Sequence, residues 1–246
     1  MVTDTEGLVL RQIKAANGRR MIAILTKRYG KISAGTSISE GGKNKTALAL
    51  RPFTYGRYEL FKGRETFSIN GAETLQSFYA IGENVEKYMA ASYALELADR
   101  VTEEEQPQPG LLTVLKDFLG MLDERKSAFG TLLIGYQSKV LQIAGCAPQL
   151  DRCMRCGKEE DLTAFSIADG GVICAECFAG SPPDPLVYEL SADQLAALRY
   201  MAARPVTALK GIGLNADAEK KLRRLFQAYI AYHLGIEDLK SESLVM

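Results

Sequence analysis

Two cysteine pairs constrain this chain more than any other feature. CMRCG at 153–157 is followed by CAEC at 174–177, so two CxxC knuckles stand 17 residues apart. That is the spacing of a four-thiolate zinc site, with Cys153, Cys156, Cys174 and Cys177 each giving one sulfur to one ion. Gly157 suits the positive φ that a knuckle turn often needs. FSI at 165–167 and VIC at 172–174 flank Asp169-Gly170-Gly171, so the intervening stretch reads as a hairpin and the whole as a zinc-ribbon-like module. Four protein thiolates leave no open position for water or substrate, which makes the Zn2+ structural. Disulfides or a labile redox pair are the competing readings. A thioredoxin-type site needs a reactive CxxC in a strand–helix setting, and the sequence around neither pair reads that way. Cys146 reads as a small buried residue after a helix.

Compartment bears on that choice. The opening MVTDTEG is polar and acidic rather than basic and then apolar, so no export signal is read, and no stretch approaches the roughly 20 apolar residues of a spanning helix. The expectation is a protein of the reducing cytoplasm, away from the membrane, where cysteines serve as ligands or buried thiols. With 246 residues, 47% apolar and 24% charged, the chain can bury a core as one large domain or two modest ones. Its zero net charge is divided unevenly: residues 1–70 carry 13 Lys+Arg and 5 Asp+Glu, residues 71–246 carry 17 and 25. A basic module with a polyanionic partner, joined to an acidic module, is the expectation.

Residues 6–70 read as strands. GLVLRQI at 7–13 and MIAILT at 21–26 flank Asn17-Gly18, a hairpin dipeptide. KISAGTSI at 31–38 is a third strand, SEGGKNKT at 39–46 a loop, RPFTYGRYELF at 51–61 a fourth strand and TFSI at 66–69 a fifth. Five short strands in this length suit a small closed barrel. From Thr74 the period becomes helical, with Leu75, Phe78, Ile81, Val85, Tyr88, Met89, Ser92 and Leu95 on one stripe. EEEQPQPG at 103–110 is a linker. Leu111, Leu112, Leu115, Phe118, Leu119 and Leu122 mark a second helix, 128–144 a third stopped by Gly145, and Ser191 with Gln194 a capping box. The last helix, 217–234, turns Leu222, Leu225, Phe226, Tyr229 and Ile230 inward. The fold class is therefore α+β: a barrel domain at 1–73, then a helical domain at 74–246 carrying the cysteine module at 153–177.

Four stretches in this order resemble the RecO family of bacterial recombination mediators. They are LTKRYGKISAGTSI at 25–38, LRPFTYGRYELFKGRETFSINGAE at 50–73, YQSKVLQIAGCAPQLDRCMRCG at 136–157 and YIAYHLGIEDLKSESLV at 229–245. The third carries a Gly-x-x-Pro-x-Leu link, Gly145, Pro148 and Leu150, before the first knuckle. The resemblance implies a five-stranded OB-fold barrel, and binding of single- and double-stranded DNA with annealing of complementary strands. It also implies recognition of the C-terminal tail of single-strand-binding protein and, with RecR, loading of RecA on coated single strands. The expected place is the bacterial cytoplasm, with the nucleoid.

Basic side chains hold DNA by neutralising phosphates, and aromatic rings add stacking. The candidates are Lys27, Arg28 and Lys31 around the second-to-third strand turn, Lys43, Lys45 and Arg51 around the Gly-containing loop, and Arg19 and Arg20 beside the hairpin. Tyr29 and Tyr55 are candidate stacking rings. Lys139, where the family helix carries a basic residue, is the candidate rim for the acidic tail.

An enzyme is the first rival. The single histidine, His233, reads as a packed helical residue, and no Walker-type loop or nucleophile–base pair appears. KGIG at 210–213 suits a stop before a helix starting at Asn215 better than a backbone-gripping hairpin. A zinc-stabilised protein-interaction scaffold with little DNA binding, and an RNA-binding barrel, are the other rivals.

Overall fold

A computed structural model describes residues 1–14, 20–38, 45–64, 66–237 and 239–241. The chain forms two compact units, Met1–Glu124 with Leu239–Met246, and Arg125–Asp238.

The first unit is built on a closed barrel. Its strands are β1 (Val2–Lys14), β2 (Arg20–Thr26), β3 (Gly30–Thr36), β4 (Thr54–Lys62) and β5 (Phe67–Ser77), hydrogen-bonded in the order β1-β2-β3-β5-β4 and back to β1. A short helix, α1 (Lys45–Ala49), lies between β3 and β4, and β3 meets β5 in parallel only at Ala34↔Phe67 and Gly35↔Ser68. The interior is filled by Val9, Ile22, Ile24, Ile32, Leu50, Tyr58, Leu60, Phe67 and Ile69. β3 alternates buried and half-exposed residues, as a strand covered on one face should. In β1 and β2 the runs Leu8-Val9-Leu10 and Ile22–Leu25 are buried without alternation, because α2 (Val85–Val101) and α3 (Pro109–Glu124) pack on the outer side of the barrel there. Each such Leu or Ile contributes about 1.5–3 kcal/mol on leaving water. The helices therefore settle where both strand faces are apolar.

Two expectations fail at the end of the barrel. Residues 74–77 extend β5, paired to β4 through Gly56↔Thr74 and Thr54↔Ser77, rather than opening a helix. A short 3-10 turn (Tyr79–Glu83) follows, and α2 starts only after Asn84, whose side chain accepts from the Lys87 N–H. The expected stripe is kept only in part: Phe78, Ile81 and Leu95 are buried, but Val85 is 74% and Tyr88 47% exposed. The buried face of α2 is Ala90, Ala91, Tyr93, Ala94, Leu95, Leu97 and Ala98. A contact face of alanines carries a weak apolar signal in sequence, so periodicity does not mark it. α3 buries all six of its expected residues.

The C-terminal segment returns to this unit. Glu96 on α2 accepts from the Lys240 N–H at 2.9 Å and from the Ser241 N–H and hydroxyl at 2.9 and 2.6 Å. Burial acts to raise the Glu96 pKa, but these donors outweigh it and hold the carboxyl below its usual range. A depressed folded-state pKa means that the anchor operates above the ordinary carboxylate range and fades as pH falls through the lowered value. Glu96→Ala is expected to cost about 1–3 kcal/mol and to expose the Lys240 and Ser241 amides to hydrogen exchange. Unchanged protection there would show that the carboxylate does not hold the tail.

In the second unit α4 (Phe129–Ile143) is buried nearly all round, with Leu132, Leu133, Ile134, Tyr136, Val140 and Leu141 inside and α6 (Ala192–Ala203) and α7 (Ala216–Leu234) packed on it. Ser191 and Gln194 form the expected capping box, and Asn215 caps α7 through the Ala218 N–H, so Lys210–Gly213 precedes a helix as anticipated. β6 (Leu162–Ser166) and β7 (Gly171–Cys174) make the expected hairpin, which β8 (Val187–Glu189) extends to a three-stranded sheet in the order β7-β6-β8. His233 lies with its ring 4.1 Å from that of Tyr229, and its Nε2 donates to the Ile167 carbonyl at 2.7 Å. No helix among the described residues is long and apolar enough to cross a membrane.

Candidate metal centre and nucleic-acid surface

The metal centre grows from two local turns. Gly157, at φ +80°, closes the first knuckle by donating its N–H to the Cys153 carbonyl at 2.9 Å. The Cys153 N–H in turn donates to Lys158 at 2.7 Å. Cys174 ends β7 and caps α5 (Ala175–Ala179), which carries Cys177. The second pair thus does stand at a strand–helix junction, contrary to the sequence reading, but its sulfurs face the other pair. The four Sγ atoms lie within 4.8 Å of one another, with Cys156 and Cys174 3.7 Å apart, and all four thiols are free. A tetrahedron with metal–sulfur bonds of about 2.3 Å has edges of about 3.8 Å, so the four donors fit a single ion. Cys146, half-buried rather than buried, points its sulfur at the Ala144 carbonyl and stands outside the cluster.

The donors are tuned by their surroundings. Burial acts to raise the Cys153 pKa, yet hydrogen bonds from the backbone at Cys174, Cys156 and Arg155 bring it down to about 6. Cys177 is pushed up to about 12, first by its hydrogen bond with Cys156 and then by that with Cys174. Four crowded thiols cannot all ionise without a cation among them. Arg155 joins the two knuckles: its Nε pairs with Asp169 at 2.8 Å, its Nη1 donates to the Cys177 carbonyl at 3.2 Å, and it reaches the Ser181 hydroxyl. Nothing in the sequence marks Arg155, because its partners are 14 to 26 residues away and meet only in the fold.

On the barrel the candidate cations separate. Lys27 and Arg28 form the β2–β3 turn and are exposed. The turn is fastened to β1 by the Lys27 N–H on the Glu6 carbonyl at 2.8 Å and the Arg28 N–H on the Thr5 hydroxyl at 3.3 Å. Both side chains line a shallow concavity of about 270 Å³ with Asp4, Thr5, Glu6 and Arg57. Arg57 was not among the candidates; it arrives because β1 and β4 pair at Glu6↔Arg57, a register that sequence does not reveal. Its guanidinium is 3.6 Å from Glu6. The Tyr55 hydroxyl donates to the same carboxylate at 2.8 Å and, as the largest influence, holds Glu6 below its usual range.

Other candidates are committed to the fold. Arg20 is buried, with its guanidinium on Gln12 and the Ile38 carbonyl, and Lys31 binds the Asp99 carbonyl at 2.6 Å and its carboxylate at 3.3 Å. Both cations are held by half-buried acceptors, so neither stands free at the surface. Tyr55 carries the Lys116 ammonium 5.0 Å above its ring. Tyr29 packs on Phe67 at 5.4 Å and bonds to the Thr3 hydroxyl at 2.8 Å. Neither ring is an open stacking platform. Arg51 is exposed just after α1. Arg19, Lys43 and Asn17-Gly18, and the side chain of Lys45, lie outside the described residues. In the second unit, Lys139 donates to the Ala202 carbonyl at 2.5 Å and to Gln142 at 3.2 Å, capping the end of α6.

The expected division into a basic and an acidic module is not kept by the fold. Residues 1–124 carry 16 Lys+Arg and 16 Asp+Glu, because the acids of α2, α3 and the segment between them belong to the barrel unit. Its positive surface is local.

Two family models cover nearly the whole chain. "Recombination protein O N terminal" matches residues 1–78 and "Recombination protein O C terminal" residues 82–243. Relatives named DNA repair protein RecO align end to end. The one from Alkaliphilus metalliredigens is 29% identical over 98% of this chain and 97% of its own length. Those from Myxococcus xanthus and Bacillus subtilis are 30% and 26% identical, over 94% and 96% of this chain and 92% and 91% of their own. With both halves matched in order, this chain belongs to the RecO family of DNA repair proteins.

Proposed function

We propose that the protein is a non-enzymatic recombination mediator of the bacterial cytoplasm and nucleoid. It binds single- and double-stranded DNA, anneals complementary strands and, with RecR, helps load RecA on single strands coated by single-strand-binding protein. The observation that carries this reading is the closed barrel with strand order β1-β2-β3-β5-β4, presenting Lys27, Arg28 and Arg57 around one concavity. That order, with a short helix between β3 and β4, supports an OB fold, whose strands and loops bind oligonucleotides. Three cations against two carboxylates give phosphates a local attraction that needs no base sequence. Zinc is the ion proposed for the four-sulfur cluster, holding the hairpin module in shape. The tail of single-strand-binding protein remains a proposed partner, but Lys139 is not offered as its rim, since its ammonium already caps α6.

The electrical balance of the barrel unit favours one alternative, a zinc-stabilised scaffold with little intrinsic affinity for DNA. Salt decides between them. Binding of a single-stranded oligonucleotide by the full chain is expected to weaken about tenfold or more between 50 and 200 mM salt for three phosphates contacted. No binding even at low salt, with RecR still captured, would make the scaffold the better description.

A further inference from the structure

The segment between α2 and α3 holds three consecutive glutamates, and it is seated on the barrel. Glu104 bridges in parallel to Lys31 on β3, and the Glu105 N–H donates to the Lys31 carbonyl at 2.8 Å. Side chains reinforce this: the Ser33 hydroxyl lies 3.3 Å from the Glu104 carboxylate, and the Lys62 ammonium pairs with Glu105 at 2.8 Å. The seat is shaped for the segment. Gly30, at φ +68°, lets the backbone of Gln106 approach so closely that a Cβ there would fall 2.0 Å from its carbonyl oxygen. Glu105 itself sits at φ +57°, a conformation that costs a non-glycine residue free energy.

The cation that Glu105 holds, Lys62, is continuous with the β2–β3 turn. Lys62 lies 5.5 Å from the centre of the Tyr29 ring, and the Arg28 guanidinium lies 5.3 Å from the same centre. Lys27, Arg28, Tyr29 and Lys62 therefore form one strip, closed at its Lys62 end by the segment's carboxylates. Its side-chain ties among the described residues are light, one exposed ion pair and one long hydroxyl contact, and the backbone is seated beside Lys31 and Gly30 through a strained residue. Exposed ion pairs contribute little and weaken with salt.

We propose that Glu104 and Glu105 are an intramolecular stand-in for a nucleic-acid backbone, masking a phosphate-binding edge at Ser33 and Lys62 that DNA uncovers by displacing them. The idea rests on the DNA-binding reading above. DNA entering at Lys27 and Arg28 meets the segment next along the strip, and its phosphates compete with the glutamates for Lys62 and Ser33. Binding then carries a threshold: a short contact reaches only the turn, whereas a strand long enough to displace the segment gains the edge as well.

The test is fluorescence anisotropy with a 30-nucleotide oligo-dT and the full chain. Glu103→Gln/Glu104→Gln/Glu105→Gln is expected to tighten binding about tenfold at 50 mM salt and to steepen the salt dependence by about one released counterion, the one Lys62 displaces. Glu59→Gln/Glu83→Gln/Glu86→Gln, an equal change of charge among exposed residues of the same unit, should gain less than about twofold. Lys62→Met should cancel the gain in the triple variant and change the wild type little. Hydrogen exchange of the Glu105 amide gives a readout on the unaltered protein: protection should fall when saturating oligo-dT is added. Equal gains in the two triple variants, or a Glu105 amide still protected with DNA bound, would overturn the proposal and leave DNA binding standing. Absence of binding by wild type and variants alike would remove both.

Discussion

Stripping the metal from the purified protein with a strong chelator is expected to unfold the β6–β8 module and lower its melting temperature by about 10 °C or more. Magnitude makes this the largest effect. Binding of zinc to four-ligand structural sites amounts to about 10–16 kcal/mol near neutral pH, as large as the whole stability of an ordinary domain. The strands themselves are short, although Phe165, Ile167, Val172 and Ile173 are buried and Tyr229 and His233 of α7 bond to the hairpin. β7 has four residues and β8 three, and the first knuckle joins the hairpin through the Met154 N–H on the Val172 carbonyl at 2.9 Å. Cys153→Ser, Cys156→Ser, Cys174→Ser and Cys177→Ser should each reproduce much of the loss, while Cys146→Ser should not. Elemental analysis should find one zinc per chain. A metal-free preparation that melts where the untreated protein does would end the structural-zinc reading. Acid acts in the same direction, since protons compete with the ion for the thiolates.

The second large effect lies on the barrel. Lys27→Glu/Arg28→Glu is expected to weaken single-stranded DNA binding by about 10- to 100-fold at low salt and to reduce the salt dependence by about two counterions. Both side chains are exposed and their backbones are fixed to β1, so losing the one bond from the Arg28 guanidinium to the Thr3 hydroxyl should lower the melting temperature only slightly. Lys31→Glu and Arg20→Glu should behave in the opposite way. Lys31→Glu sets a carboxylate against Asp99, which keeps Arg11 at 2.6 Å, and Arg20→Glu leaves Gln12 and the Ile38 carbonyl without their donor, so each should cost about 1–3 kcal/mol. Measuring melting and anisotropy on the same four proteins separates a binding surface from a structural cation. If the Lys27/Arg28 pair proves neutral for binding and for annealing of coated strands, the turn is not the DNA site. Adding Arg57→Glu tests whether the concavity acts as a unit.

Legibility varied with the range of the interaction. The knuckles, the DGG hairpin, the Ser191 capping box and the apolar stripes of α3 and α7 depend on residues close in sequence, and were legible from it. The start of α2 was not, because pairing with β4 draws residues 74–77 into a strand although their spacing also fits a helix. The same limit governs the site. That Lys27 and Arg28 form a turn follows from the neighbouring apolar runs, but that Lys31 is spent on Asp99, 68 residues away, does not.

By itself, then, the sequence determined which four cysteines gather, the number of barrel strands and most helix faces, since each follows from local spacing and from the removal of apolar side chains from water. The tertiary structure alone decided which cations stay exposed, that Arg57 joins Lys27 and Arg28, and that Glu104 and Glu105 lie against β3. Those outcomes depend on strand register and on which distant carboxylates come to rest beside each ammonium. Electrostatic energy is governed by separation in space, and separation along the chain carries almost no information about it.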